Sequence, residues 1–243
     1  MVEPELGGAL LTNSLRPIKI TQNYLKYPEG SCLIQMGETQ VLCTASVSRD
    51  LPDHAKAQNK GWLSAEYSML PRATSERTSR GKIASGGRTK EISRLIGRSL
   101  RAVLDLSIIP ETGILIDCDV LQADGGTRTA SINGGFVAAV LALRRWRKDD
   151  QGIRWPVRDF VGAVSVGLVD GRCVLDLDYE RDAKAEVDLN VVMTGSGHFV
   201  EIQGTAERKP FSQKDLARML DAAKAGIRKI LAVQRRTLGN IAR

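Results

Sequence analysis

Apolar residues recur at helical spacing in three long segments of this 243-residue chain. In the first segment, from Thr89, the apolar positions share one face while arginines occupy the others, which predicts an amphipathic helix. A second helix is predicted from about Thr127 to Trp146. The third begins at Ser212, where Asp215 completes a capping box, and stops at Gly239. The apolar positions that define the first two helices are Ile92, Leu95, Ile96, Leu100, Val103 and Leu104, then Phe136, Val140 and Leu143.

Runs of β-branched and apolar residues, broken by short turns, predict three hairpins. In GSCLIQMGETQVLCTASV, a turn at Gly37-Glu38 would place Cys32 directly across from Cys43. Such a pair can oxidise, but cysteines in apolar strands of a cytosolic protein are expected to be buried, reduced thiols. A later hairpin, VDLNVVMTGSGHFVEIQG, turns near Gly195 to Gly197.

The hairpin between these two, GAVSVGLVDGRCVLDLD, has the most regular alternation and turns at Asp170-Gly171. Asp176 and Asp178 are expected to point away from its apolar face. The apolar face of this hairpin is expected to pair Val164, Val166 and Leu168 with Leu177, Leu175 and Cys173.

Strands followed by helices, twice along the chain, predict an α+β protein with two related halves.

A basic segment with almost no apolar content, residues 69–88, separates the first sheet from the first long helix. Its sequence, MLPRATSERTSRGKIASGGR, predicts a long loop. Composition alone favours a solvated surface segment. A structureless stretch of this length inside a compact domain is more often functional or mobile, so both interpretations stay open.

The charge balance favours an anionic partner. The chain has 35 Lys and Arg against 28 Asp and Glu, a net charge of +7 and a pI near 9.4. Nucleic acid and an anionic membrane surface both fit this balance. No apolar stretch approaches the roughly 20 residues that cross a bilayer, and the first residues lack the features of a signal peptide. We therefore expect a cytoplasmic protein that does not associate with membranes.

Two predicted helices begin with a glycine pair followed by an arginine. Gly86-Gly87-Arg88 opens the first, and Gly125-Gly126-Thr127-Arg128 opens the second. An arginine is disfavoured by roughly 0.3–1 kcal/mol near a helix N-terminus, because the free N–H groups are already positive there. A bound anion would reverse that penalty. Neither motif is a phosphate-binding P-loop or a dinucleotide fingerprint. A phosphate-sized site and a pair of glycine turns with solvated arginines are both consistent with the pattern.

The acidic segment DLDYERDAKAEVDLN, residues 176–190, stands out in a basic chain. An EF-hand is excluded, since Arg181 and Val187 occupy its glycine and glutamate positions. Strand alternation places Glu186, Asp188 and Asn190 on one face. Such oxygen ligands suit Mg²⁺ or Mn²⁺, while a solvated acidic strand edge explains the residues equally well.

Six segments of the chain carry a specific combination of motifs that extends from Arg16 to Leu238: QADGGTRTASI, GGRTKEISRLIGRSLRA, RPIKITQNYLKYPEGSCLIQMGETQVLCTASV, GWLSAEYSMLPRAT, LDLDYERDAKAEVDLNVVMT and FVEIQGTAE. Together they resemble the bacterial ribonuclease PH family, which is related to polynucleotide phosphorylase and the exosome ring subunits. The resemblance implies a single ribonuclease PH-type domain, 1–243, with two similar β-α halves at about 16–148 and 156–238. It also implies mixed sheets with packed helices.

The resemblance further implies a phosphate-dependent 3′-to-5′ exoribonuclease that trims tRNA precursors and assembles as a homohexamer, a trimer of dimers. Nucleoside diphosphates would be its products. The implied phosphate-binding residues are Arg88, Gly126, Thr127 and Arg128. The implied catalytic residues are Asp182 and Asp188, which would position Mg²⁺ (or Mn²⁺) or take part in proton transfer.

In the basic segment, Arg72, Arg77 and Arg80 are similar to the family's residues for RNA contact and subunit packing. One departure from the family pattern is Arg208-Lys209, where the family usually has glycine and a variable residue. We expect this change to alter a turn and add charge without touching the chemistry. Two alternatives to the phosphorolytic enzyme are a non-catalytic RNA-binding ring subunit and a hydrolytic metal nuclease.

Overall fold

Two β-sheets with long helices packed against them form the fold of the computed structural model, which describes residues 14–49, 51, 53–57, 59–149 and 154–240. The first sheet contains β1 (Ile18–Gln22), β2 (Gly30–Met36), β3 (Thr39–Ser48), β4 (Trp62–Met69) and β5 (Gly113–Gln122). The second contains β6 (Val161–Val169), β7 (Arg172–Leu175), β8 (Val187–Thr194) and β9 (Phe199–Ala206). The helices are α1 (Asp53–Lys56), α2 (Arg80–Ser85), α3 (Gly87–Arg101), α4 (Thr127–Asp149), α5 (Tyr179–Lys184) and α6 (Gln213–Leu238). This α+β arrangement confirms the predicted fold class.

The two sheets differ in strand direction. The first has the order β1-β2-β3-β5-β4 and is mixed, because β4 runs parallel to β5 while the other neighbours are antiparallel. The second has the order β7-β6-β8-β9 and is antiparallel throughout. No helix among the described residues is long and apolar enough to span a bilayer. Residues 1–13, where the sequence predicts no signal peptide, lie outside the described residues.

Helix α4 connects the two sheets through the core. The Asn133 side chain donates to the carbonyl of Ala163 on β6 at 2.9 Å and accepts from its N–H at 2.8 Å. On the other side, the thiol of Cys32 donates to the carbonyl of Gly134 at 3.3 Å. Phe136, Val140 and Leu143 are buried, as predicted. A helix enclosed on both sides in this way fixes the position of its own N-terminus relative to both sheets.

The first hairpin forms at Gly37-Glu38, and Cys32 lies directly opposite Cys43 as predicted. Cys43 also pairs across to Cys118 on β5. All three are free and buried thiols. Burial raises the pKa of Cys43 well above its ordinary value, with hydrogen bonds to the two neighbouring thiols adding to the effect. The thiol therefore stays neutral and unreactive.

The hairpin at Asp170-Gly171 is confirmed for two of its three predicted pairs, Val166 with Leu175 and Leu168 with Cys173. The third pair, Val164 with Leu177, was predicted wrongly, because the ladder ends at Leu175. Asp176 adopts a positive φ of 59°, and its N–H donates to the carbonyl of Ser165 at 2.7 Å. This turn buries the Asp176 side chain completely instead of pointing it outward.

The long helices agree closely with the sequence pattern. Helix α3 begins at the second glycine of its pair, and α4 extends three residues beyond the predicted Trp146. Ser212 and Asp215 form the predicted capping box of α6. The basic segment differs from the prediction of an uninterrupted loop, since residues 80–85 form α2 with Ser79 as its N-cap. The hydroxyl of Thr89 donates to the carbonyl of Ile83 at 2.9 Å and ties α2 to α3.

Candidate active site

One cleft of about 490 Å³ brings together residues from both halves of the chain. Four residues identified from the sequence line it, and each comes from a different element: Arg88 from α3, Arg128 from α4, Asp182 from α5 and Asp188 from β8. Asn190, on the same face of β8 as Asp188, also lines the cleft, as the strand alternation predicts. Polar residues to which the sequence gave no role in the chemistry complete the wall: Glu91, Gln203, Thr205, Glu207 and Arg208.

Arg88 lies in the first turn of α3, where the backbone is short of hydrogen-bond partners. Its N-cap residue, Gly86, has no side chain to accept from the first turn, and that turn contains no acidic residue. The guanidinium therefore lines the cleft next to a helix start whose free N–H groups are partly positive. This combination suits a small oxyanion.

Arg128 is held between α3 and β9 by a polar network. Its Nη1 lies 3.3 Å from Oε1 of Glu91 and also donates to the side-chain oxygen of Gln203. The Gln203 amide in turn donates to Glu91 at 2.9 Å. Only 15% of the Arg128 side chain is exposed. The network fixes the guanidinium on the cleft wall, and Glu91 balances part of its charge.

Gly126 and Thr127 form the turn behind Arg128 and are not among the lining residues of the cleft. Gly125 and Gly126 both have positive φ, 69° and 64°. A Cβ on Gly125 would lie 2.3 Å from the carbonyl oxygen of Leu177, so only glycine fits this approach of the two halves. The Thr127 hydroxyl is 2.9 Å from that of Tyr67 and is buried. In this structure these residues shape the helix start, while Arg88 and Arg128 face the cavity.

The two aspartates lie close enough to influence each other's ionisation. Burial and, next, the charge of Asp182 raise the pKa of Asp188 to about 6, while Arg128 opposes the shift. Burial also raises the pKa of Asp182, against the opposing charges of Arg88 and Arg128. The side chain of Asn190 donates to Asp188 at 3.3 Å. Both charged carboxylates are therefore held at a cost in free energy, which is typical of functional groups.

The charges in the cleft fit a divalent cation. Three arginines and four carboxylates line it, so the side chains alone carry a net negative charge. Within the described residues, no three His, Cys, Asp or Glu side chains form a cage for a metal ion. Mg²⁺ commonly binds through only one or two carboxylates, with water and phosphate oxygens as its other ligands. Asp182 and Asp188 match that mode, and the added charge would make the cleft attractive to a polyanion.

A buried ion pair joins the glycine turn to the acidic segment, and the sequence analysis did not anticipate it. Nη2 of Arg16 lies 2.8 Å from Oδ1 of Asp176, and the backbone N–H of Arg16 donates to Oδ2 at 2.9 Å. The guanidinium also donates to the carbonyl of Asp124, just before the glycine pair. Asp178, two residues after Asp176, caps α5 by accepting from the N–H of Arg181 at 2.9 Å. This clamp sets the position of the glycine turn relative to the helix that carries Asp182.

Three of the four arginines of the basic segment are exposed and do not line the cleft, whereas the fourth, Arg88, does line it. The segment itself is anchored, because the N–H of Thr78 donates to the carbonyl of Pro71 at 2.9 Å and Ala73 is buried. The carbonyl of Ala73 accepts from the N–H of Ala123 at 2.8 Å, next to the glycine turn. The segment is thus attached beside the cleft, and the RNA contacts assigned to these arginines stay a prediction: Arg72, Arg77 and Arg80.

Comparison with known proteins agrees with this geometry. Residues 14–145 match the model of the 3′ exoribonuclease family, domain 1, and residues 159–226 match domain 2 of that family. The chain is 54% identical over 232 residues to a ribonuclease PH of Moorella thermoacetica, and the alignment covers 94% of this chain and 92% of the relative. It is 51% identical over 232 residues to a ribonuclease PH of Bacillus cytotoxicus, covering 93% of this chain and 94% of the relative.

A solved structure has the same fold at low sequence identity. It is a chain of the Archaeoglobus fulgidus exosome with RNA bound to the active site, with a TM-score of 0.74 and 22% identity over 90% of this chain and 89% of that one. The family resemblance noted in the sequence is thereby confirmed. With both domain models matched in order and more than half of the aligned residues identical to each of two curated relatives, the chain belongs to the 3′ exoribonuclease family.

Proposed function

We propose that this chain removes nucleotides from the 3′ end of RNA by phosphorolysis, and that the cleft is its active site. Its family membership and its identity to two ribonucleases PH make it a phosphorolytic 3′-to-5′ exoribonuclease with phosphate as co-substrate. One observation carries the assignment of the site: Arg88, Arg128, Asp182 and Asp188, from four separate elements, line a single cavity.

Inorganic phosphate would bind between Arg88 and Arg128 and act as the nucleophile. One of its oxygens attacks the phosphorus of the last phosphodiester, the bond from that phosphorus to the 3′ oxygen breaks, and a nucleoside diphosphate leaves. Phosphate is already an oxyanion at neutral pH, so no side chain needs to be activated as a nucleophile. Accordingly, the described lining of the cleft contains no Ser, Cys or His. The protein's task is to align the groups and to neutralise charge.

Asp182 and Asp188 would hold the divalent metal ion, Mg²⁺ or Mn²⁺. When bound, such an ion would neutralise negative charge that develops on the phosphate oxygens. In the alternative role, one of the two carboxylates would carry a proton to the departing 3′ oxygen, for which its raised pKa suits it. The Arg16–Asp176 clamp fixes the position of the proposed phosphate site at Arg128 relative to the carboxylate of Asp182.

The alternative of a non-catalytic RNA-binding ring subunit fits the cleft less well. A subunit that only binds RNA gains nothing from two carboxylates whose charges burial disfavours, because they would repel the RNA. A hydrolytic metal nuclease would need the metal ion but not the paired arginines at two helix starts. The arginines therefore favour phosphorolysis over hydrolysis.

We further propose precursor tRNA 3′ ends as the substrate and a homohexamer, a trimer of dimers, as the working form. The net charge of +7 and the exposed basic segment support binding of a structured RNA. The outer face of the first sheet leaves Leu115 40% exposed, which supports contact with another subunit. Light scattering should then give the mass of six 26.5-kDa chains, and a monomer would contradict the assembly. The cytoplasmic location stays a prediction.

The direct test of the site is Arg128→Ala. Loss of a charge-assisted contact to phosphate should cost about 1.5–3 kcal/mol and raise the KM for phosphate about 10- to 150-fold. The KM for RNA should change little. Arg94→Ala is the matched control, because Arg94 is an exposed arginine of α3 outside the cleft. Equal phosphate dependence in Arg128→Ala and the wild type would remove Arg128 from the phosphate site.

A further inference from the structure

Arg208 lines the cleft, although the family pattern gave no reason to expect a functional residue at this position. It follows β9, where the backbone N–H groups of Glu207 and Arg208 both donate to the carbonyl of Glu186, at 2.9 and 3.2 Å. Its Nη2 donates to the carbonyl of Ala183 on α5 at 3.3 Å. Ala183 is the residue after Asp182, so the guanidinium lies against the helix that carries a proposed catalytic carboxylate.

The charge of Arg208 is not balanced by a neighbour. Among the described residues, no carboxylate lies within ion-pair distance of its guanidinium, whereas Arg128 pairs with Glu91 at 3.3 Å. The next residue, Lys209, instead pairs with Glu186 at 3.5 Å and does not line the cleft. Two adjacent cations of the same turn therefore differ: one is paired outside the cleft, and the other is available to an anion inside it.

The position of Arg208 separates it from the proposed phosphate site. Arg88 and Arg128 line the cleft from the first turns of α3 and α4, the two helix starts that follow glycine pairs. Arg208 lines the cleft from the turn after β9, and its guanidinium contacts the backbone of α5. An RNA strand whose last phosphodiester lies at the two aspartates must continue out of the cleft past its wall. The anion within reach of Arg208 is then an internal phosphodiester of that strand.

We propose that Arg208 binds a backbone phosphate of the RNA upstream of the scissile bond and so sets affinity for the RNA, not for inorganic phosphate. The inference rests on the proposed function of the cleft. Phosphate contacts position a nucleic acid without reading its sequence, so the effect is the same for all RNA sequences. A single strand loses about 0.7 from the slope of log K against log salt for each lost phosphate contact.

The test compares Arg208→Gln with Lys209→Gln, which removes the same charge from the neighbouring residue outside the cleft. RNA binding is titrated with salt in Mg²⁺ buffer without phosphate, where phosphorolysis does not occur. Arg208→Gln should flatten the salt slope by about 0.7 and weaken RNA binding about threefold to tenfold, while Lys209→Gln changes neither. Gel electrophoresis of the RNA after the titration checks that it stays intact, so the binding result does not depend on whether the reaction is phosphorolytic, and degradation without phosphate would instead contradict the proposed function.

Two kinetic measurements complete the test. A dinucleotide contains only the scissile phosphodiester, so Arg208→Gln should leave its kcat/KM unchanged but lower that of a longer oligonucleotide. The KM for phosphate should equal that of the wild type. A wild-type salt slope in Arg208→Gln would overturn the proposal. A raised KM for phosphate with unchanged RNA binding would also overturn it, because Arg208 would then serve inorganic phosphate.

Discussion

Replacing Asp188 by asparagine should make the protein more stable at pH 8 while it abolishes turnover. The pKa of Asp188 is raised from 3.8 to about 6, mainly by burial and next by the charge of Asp182. At about 1.4 kcal/mol per pKa unit, the ionised carboxylate destabilises the fold by up to about 3 kcal/mol. Asparagine keeps the shape and carries no charge, so we expect a gain of about 1–3 kcal/mol.

The sign of the pH dependence follows from the direction of the shift. The pKa of Asp188 is higher in the folded state, so its protonation contributes fully to the free energy of unfolding below pH 3.8. This contribution to stability is lost as the pH rises through about 6. Asp188→Asn has no such group to ionise. Its advantage over the wild type should therefore be absent near pH 4, grow between pH 4 and 6, and stay constant above that range.

The assay is thermal unfolding at several pH values, with and without Mg²⁺. A gain of 1 kcal/mol raises Tm by about 2–4 °C in a chain of this size, so the increase at pH 8 should be roughly 2–12 °C. Mg²⁺ should raise the Tm of the wild type more than that of the variant, because the ion would neutralise the charge of Asp188, which the variant lacks. Asp221→Asn, an exposed carboxylate on α6 outside the cleft, is the control. A variant no more stable than the wild type at pH 8 would refute the reasoning.

Two further predictions concern pH and the basic segment. At limiting Mg²⁺, kcat/KM should fall as the pH drops through about 6, because protonated Asp188 no longer binds a cation; a rate that is constant down to pH 5 would contradict this role. Replacing three of the four arginines of the basic segment by glutamine should flatten the salt slope of RNA binding by about 2 and spare phosphorolysis of a very short oligonucleotide. Parallel slopes at equal oligomer size would mean that the segment is only a solvated surface. The replaced residues are Arg72, Arg77 and Arg80.

Local patterns were sufficient to predict most elements of the fold. Helical periodicity placed α3, α4 and α6 to within a few residues, and α6 also begins and ends at the caps predicted for it, Ser212 and Gly239. Turn residues predicted the hairpin at Asp170-Gly171. The prediction that Asp176 points outward was wrong, because strand alternation applies only while the strand continues, and the ladder ends at Leu175. There the chain turns to bury a carboxylate that a distant arginine neutralises.

The candidate site was only partly visible in the sequence. Glycine pairs before arginines are a local signal, so Arg88 and Arg128 could be found, and their convergence with Asp182 followed from the family resemblance. Gln203 gave no such signal, because an alternating polar residue on a strand is ordinary, and its role depends on contact with Arg128. The same holds for Arg16, whose partner Asp176 is 160 residues away. These contacts are set by tertiary packing, which one-dimensional spacing does not encode.

The most direct test of the account is the fate of isotopically labelled inorganic phosphate during RNA degradation. The wild-type protein, Mg²⁺ and an oligoribonucleotide are incubated with labelled phosphate, and the released nucleotide is identified. The account predicts a nucleoside diphosphate with the label in its β-phosphate, and no release when phosphate is omitted. Release of unlabelled nucleoside monophosphate, at the same rate without phosphate, would contradict it.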